Sequence, residues 1–146
     1  MTDVCMTGQN IKVLYWNIHG IYSRTIGEKN ENKDLLNIVS EFDIICISEL
    51  HTDKIISIPG FVPKKQKFRK KVDKSPKISG GIAVYVKQNI ENNFHLIPNN
   101  NVDSIWIRTN PSDSRAIRLG FYYCSPEKNS SNFLDTLQGE IERFGD

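Results

Sequence analysis

Cysteine is scarce in this chain of 146 residues: Cys5, Cys46 and Cys124 stand far apart, with no Cys-x-x-Cys and no Cys/His pairing. That spacing argues against zinc and against a disulfide framework. Two of the three fall in strand-like stretches, and all three read as reduced, intracellular thiols. Long apolar runs are missing too. None approaches the length of a membrane span, and residues 1–10 lack the basic region and apolar core of a secretory leader, so neither secretion nor membrane insertion is expected. Internal repeats are absent, as are low-complexity tracts apart from one basic stretch.

What is present is the composition of an ordinary globular domain, 38% hydrophobic and 25% charged, in a length that suits one domain with a sizeable core. The net charge of +2 conceals a local bias. Residues 64–77 hold Lys64, Lys65, Lys67, Arg69, Lys70, Lys71, Lys74 and Lys77 against Asp73 alone, a net +7 that leaves −5 for the remainder. Charge so concentrated suits a patch that meets phosphate, and a basic loop without a partner is the alternative.

Residues 1–10 read as a frayed leader and 11–146 as the domain. Residues 11–16 are β-rich and are broken by Asn17-Ile18-His19-Gly20, which puts Asn17 just past a strand end. Across 32–42, Leu35, Ile38, Val39 and Phe42 recur at helical spacing, with Asn32 and Asp34 placed to start the helix. Strand, helix and strand in that order predict a parallel pair with a crossover. After Ile55–Ile58, a short apolar piece stopped by Pro59-Gly60, the basic segment reads as a loop ended by Gly80-Gly81. Strands are expected over 82–86, 94–97, 104–108 and 115–123, the last ended by Ser125-Pro126, and their short turns predict antiparallel pairing. Over 131–144, Phe133, Leu137, Ile141 and Phe144 recur at helical spacing, with Ser131 to cap the helix and Gly145 to end it. A helix there would normally feed another strand, so the chain reads as a domain cut short.

The chain is organised around residues 42–51. Ile44, Ile45, Cys46 and Ile47 form a continuous, β-branched run typical of a strand buried on both faces, and it ends abruptly in Glu49. A carboxylate beside a buried strand is costly unless a positive partner meets it, and a bound cation is the usual answer where no basic residue adjoins. Ligands in open α/β sheets sit at the carboxyl ends of strands. Glu49 is therefore a candidate metal-facing carboxylate; the alternative is a glutamate that has simply turned into water.

Four pieces then coincide in order: Trp16-Asn17-Ile18-His19-Gly20, Ile47-Ser48-Glu49-Leu50-His51, the Gly80-Gly81-Ile82-Ala83-Val84-Tyr85-Val86 strand, and Tyr123-Cys124-Ser125-Pro126. From residue 11 onward this resembles the endonuclease/exonuclease/phosphatase superfamily, and most closely the apurinic-like endonuclease domains of LINE-type retrotransposons. The resemblance implies an α/β fold, the first part of a four-layer α/β/β/α sandwich of the DNase I type. It implies hydrolysis of DNA phosphodiesters with Mg²⁺ or Mn²⁺ as cofactor, DNA as partner, and an intracellular, nuclear place of action. Residue by residue, it makes Glu49 the metal ligand, Asn17 a holder of the metal and scissile phosphate, and Tyr123 a phosphate contact.

Lys67, Arg69, Lys70 and Lys71 would lie along the DNA backbone, making binding salt-dependent without reading sequence. His19 departs from the pattern and suits at most a supporting or phosphate-contacting role. His51 could reach the same mouth but reads as a surface histidine. Asp103 matches a common acidic position, its role open, and Tyr122 should face the opposite side of the sheet from Tyr123. The family's later Gly-Asp-x-Asn strand and Asp-His pair are not in the sequence, and Gly145-Asp146 reads as a helix stop. Loss of general acid–base assistance, typically 10²–10⁴-fold, predicts an inactive fragment. The competing expectations are a non-catalytic nucleic-acid-binding remnant and a phosphatase of the same superfamily. An incomplete second sheet would also expose the inner faces bearing Ile82, Val84, Ile105 and Ile107.

Overall fold

The computed structural model describes residues 10–23, 27–69, 78–110, 116–124 and 130–144. Strand β1 (Val13–Asn17) is followed by the two-residue strands β2 (Tyr22–Ser23) and β3 (Gly27–Glu28), then by helix α1 (Lys33–Val39) and strand β4 (Ile44–Ser48). Asn32 caps α1, its side chain accepting from the backbone N–H groups of Asp34 and Leu35, both at 3.1 Å. β4 runs parallel to β1, as the crossover predicts. Five more strands follow: β5 (Phe61–Lys67), β6 (Ile82–Lys87), β7 (Phe94–Ile97), β8 (Ser104–Thr109) and β9 (Arg118–Tyr122). Helix α2 (Ser130–Phe144) comes last among the described elements. The strands form sheets of order β1-β4-β6-β5 and β7-β8-β9, with β2-β3 a small ribbon, so the architecture is mixed α/β. The pairings of β6 to β9 are antiparallel, as expected, and so is that of β5 with β6.

β4 is buried along its whole length because both its faces are covered. Ile44 and Cys46, with Ile82, Val84 and Val86, pack against Phe94, Ile105, Ile107 and Phe121 of the second sheet. Ile45 and Ile47 point the other way and join Ala83, Tyr85, Ile56 and Ile58 against Val39 of α1. The far side of the second sheet carries Trp106 and Tyr122, whose rings meet Phe144 and Phe133 of α2 at 5.7 and 6.1 Å. The expected exposure of Ile82, Val84, Ile105 and Ile107 is not observed: each is at most 1% exposed, because the two sheets cover each other. Val13 and Tyr15, beside Ile44 and Cys46 in register, are the exposed apolar residues on that side, at 40% and 44%.

Three further expectations change. The basic segment does not begin as a loop: Lys64, Lys65 and Lys67 belong to β5, bonded to β6 along one edge only. An edge strand tolerates lysines and Pro63, the latter at a register shift in the ladder, which is why loop-like composition hides a strand here. In α1, Leu35 and Val39 turn inward as expected and are joined by Leu36, while Ile38 is 57% exposed. In α2, Ser131 lies within the helix rather than at its cap, and Ile141 is half exposed. Glu140 turns inward in its place and accepts from Ser104 Oγ at 2.7 Å and Asn101 Nδ2 at 3.1 Å. Lys70, Lys71, Arg115, Ser125-Pro126 and Gly145-Asp146 lie outside the described residues. No described helix is long and apolar enough to cross a membrane.

The two described cysteines differ in reach. Cys46 is fully buried and burial pushes its thiol pKa up, whereas Cys124 is exposed. In a Cys5→Ser background, iodoacetamide is expected to label Cys124 quickly and Cys46 only on unfolding. Equal labelling of both in the native protein, by mass spectrometry, would contradict this packing.

Candidate functional site

The ends of β1 and β4 and the starts of β6 and β9's exit meet at one end of the molecule. The parallel ladder continues beyond the strands, with Ile18 N donating to Ser48 O (3.0 Å), Gly20 N to Glu49 O (2.6 Å) and Ile21 N to Leu50 O (3.0 Å). His51 N then donates to Gly80 O at 2.9 Å, tying this turn to the segment leading into β6. The price of that path is backbone strain. His19 (φ 51°), Glu49 (φ 55°) and His51 (φ 56°) all occupy the left-handed region, which non-glycine residues rarely enter. Such conformations cost on the order of 1–3 kcal/mol each and cluster where function demands them.

The bend aims the Glu49 carboxylate across the gap between sheets. Its Oε1 accepts the Tyr123 hydroxyl at 2.5 Å, and its Oε2 lies 2.9 Å from His19 Nδ1. The Asn17 amide lies beside it and helps to lower its carboxyl, while Asn17 Oδ1 accepts the His19 backbone N–H at 3.2 Å. The Tyr123 hydrogen bond, followed by the Asn17 amide and the nearby His19 and His51, holds the Glu49 carboxyl below the usual range against the opposing pull of burial. Burial and the same bond raise the Tyr123 phenol. Asn17, His19, Glu49 and Tyr123 are thus brought together, and exposed His51 stands at the rim.

Asp103 is 3% exposed and sits behind Tyr123, its carbonyl accepting the Tyr123 N–H at 2.9 Å. Its carboxylate receives Arg69 in a fork, Nε to Oδ1 at 3.1 Å and Nη2 to Oδ2 at 2.8 Å. Lys67 also turns inward, donating to Asn99 Oδ1 (2.9 Å), Asn101 O (2.8 Å) and Ser104 O (2.8 Å), with Asn99 O at 3.3 Å. Lys64 pairs with Glu91. Lys67 and Arg69 are therefore engaged inside the fold, and Lys65 is the exposed cation of β5. Tyr122 faces away from the site, as its place in the strand predicts, accepting Trp106 Nε1–H at 2.8 Å.

Sequence reasoning missed the strain at His19 and His51, which residue type does not announce, and the Arg69–Asp103 fork. Among the described residues no group of three or more His, Cys, Asp and Glu is gathered, so a cation here would meet one carboxylate with amide and water oxygens. That donor set fits Mg²⁺ or Mn²⁺, which keep several waters and take few protein carboxylates. No family model matches the chain, and comparison with curated proteins gives no match.

Proposed function

We propose that this chain carries a divalent-metal-dependent phosphodiesterase site of the endonuclease/exonuclease/phosphatase kind, acting on DNA. The observation that carries the reading is Glu49: a strained strand end that presents one carboxylate, gripped from the opposite sheet by Tyr123 and flanked by Asn17. The fold proposed with it is part of a four-layer α/β/β/α sandwich. Two sheets packed face to face, with α1 outside one and α2 outside the other, support that arrangement.

In this reading Glu49 and Asn17 hold Mg²⁺ or Mn²⁺, which when bound polarises the phosphoryl oxygens and stabilises the leaving oxygen. Tyr123 fixes the carboxylate's direction with its one hydroxyl hydrogen, and would turn that hydrogen to a phosphate oxygen once a cation holds Glu49. Asn17 orients the same phosphate by its amide. Lys65, on the open edge strand, meets the DNA backbone as a salt-sensitive, sequence-independent contact.

The test is cation binding, followed by the electron paramagnetic resonance of Mn²⁺. Wild-type protein is expected to bind Mn²⁺, with Mg²⁺ competing, and Glu49→Gln to lose at least about tenfold in affinity. Equal affinity in the two proteins would remove Glu49 from the reading. Tightening of Mn²⁺ by a DNA duplex, and not by a small phosphomonoester, assigns the polymer as ligand.

A further inference from the structure

Glu49 and Tyr123 belong to different sheets, yet their hydrogen bond is 2.5 Å long. The apolar core beneath them, from Cys46 and Ile82 to Ile105 and Phe121, holds the sheets together without direction. Something directional must set the phenol against the carboxylate. We infer that Arg69 and Asp103 form a positioning pair that holds Tyr123 in place on Glu49.

The contacts close a ring. Tyr123 N donates to Asp103 O at 2.9 Å, so the tyrosine's backbone hangs directly on Asp103. The Asp103 N–H is itself fixed by Asn101 Oδ1 at 3.0 Å. Arg69, just past the end of β5 and so on the sheet that carries Glu49, grips both Asp103 oxygens. Its stem lies against Gly80, where an added Cβ would stand 3.4 Å from Cδ and Nε. Gly80 O accepts His51 N at 2.9 Å, which brings the path back to two residues from Glu49. Glycine suits that corner on two counts, the close approach of Arg69 and a φ of 68°.

The chemistry of the pair suits alignment better than stabilisation. Side-chain exposures of 20% for Arg69 and 4% for Asp103 mark an ion pair largely withdrawn from water, which rarely stabilises a fold more than apolar residues would. A planar guanidinium on both carboxylate oxygens fixes orientation as well as distance, a geometry an ammonium cannot copy. Both charges also act on the Tyr123 phenol, Arg69 favouring its ionisation and Asp103 opposing it. The inference rests on the Glu49 site described above, and it adds to that site the groups that determine its geometry.

The experiment uses the full chain labelled with ¹³Cζ-tyrosine, the Tyr123 resonance being assigned by Tyr123→Phe. Arg69→Lys keeps the charge and loses the fork, Asp103→Asn loses the charge, and Val39→Ala loosens the remote α1 core as a control. The Tyr123 resonance is expected to move toward that of free tyrosine in Arg69→Lys and Asp103→Asn and to stay in place in Val39→Ala. Mn²⁺ affinity is expected to fall about tenfold or more in the same two variants, and Arg69→Lys to cost nothing further in a Tyr123→Phe background. A Tyr123 resonance unmoved in folded Arg69→Lys overturns the inference, and that variant decides alone if Asp103→Asn does not fold. Movement of the resonance in a protein that binds no Mn²⁺ upholds the positioning pair and overturns the metal reading instead.

Discussion

Gly120→Ala is expected to destabilise the protein by about 2–3 kcal/mol, an overpacking cost at a site with no slack. A Cβ at this position in β9 would stand 2.6 Å from Cε2 and Cζ2 of Trp106 and 2.9 Å from Cη2. The ring has little freedom to move aside. Trp106 is 5% exposed, donates Nε1–H to the Tyr122 hydroxyl at 2.8 Å, and packs on Phe144 of α2 at 5.7 Å. Displacing it would break the hydrogen bond and loosen the helix together. A fall in Tm on the order of 5–10 °C is the expected reading. In a Trp106→Phe background the same alanine should cost little, since the clashing atoms are gone, and the two changes should be strongly non-additive. An unchanged Tm for Gly120→Ala alone would mean that α2 does not hold Trp106 as the structure places it.

Lys67→Met is expected to cost on the order of 2–3 kcal/mol, because it strips the donors from four acceptors while keeping the apolar stem. Those acceptors, on Asn99, Asn101 and Ser104, belong to the turn that delivers Asp103 and the start of β8. Burial pulls the Lys67 pKa down and Lys65 nearby adds to that, while the Glu140 carboxylate opposes both. Lys65→Met is the informative contrast. Exposed and bonded to β6 through its backbone alone, it should change stability by less than about 0.5 kcal/mol. Under the proposed function it should instead weaken DNA binding and reduce the salt slope by about one. Urea denaturation and binding measured across a salt series separate the two lysines. A Lys67→Met protein of wild-type stability but poor DNA affinity would reverse their assignment.

That contrast shows where residue patterns stop being informative. Eight basic residues within 64–77 read alike by composition. Folded, Lys64 pairs with Glu91, Lys67 fills a turn, Arg69 forks onto a buried aspartate, and Lys65 remains in water. The partners of Lys67 and Arg69 lie 32 to 37 residues further along, and nothing local distinguishes a lysine that will meet a distant carbonyl from one that will meet solvent. Helix faces failed for a related reason. Ile38 and Ile141 fit the apolar period, yet Leu36 and Glu140 point inward, because a helix's docking angle, and polar partners such as Ser104 and Asn101, decide which residues are covered.

Glu49 was legible because its signal is local: an unbroken β-branched run stopped by an acid. Its surroundings were not. Tyr123 could be singled out only through a family resemblance, and Asp103 could be given no role at all. The left-handed backbone at His19, Glu49 and His51 arises from the way two strand ends and the Gly80 segment are bonded to one another.

The sequence by itself determined the alternation of strands and helices apart from β5 and the β2-β3 ribbon, the parallel start and antiparallel continuation, the Asn32 cap and the carboxylate at the end of β4. Each follows from periodicity, capping or burial read within a few residues. Only the tertiary structure decided that the two sheets cover each other's isoleucines, that Tyr123 reaches Glu49, and which basic side chains are engaged. Those are matters of distance between segments far apart in the chain, set by how sheets and helices dock, and the hydrophobic pattern that drives docking carries no direction of its own.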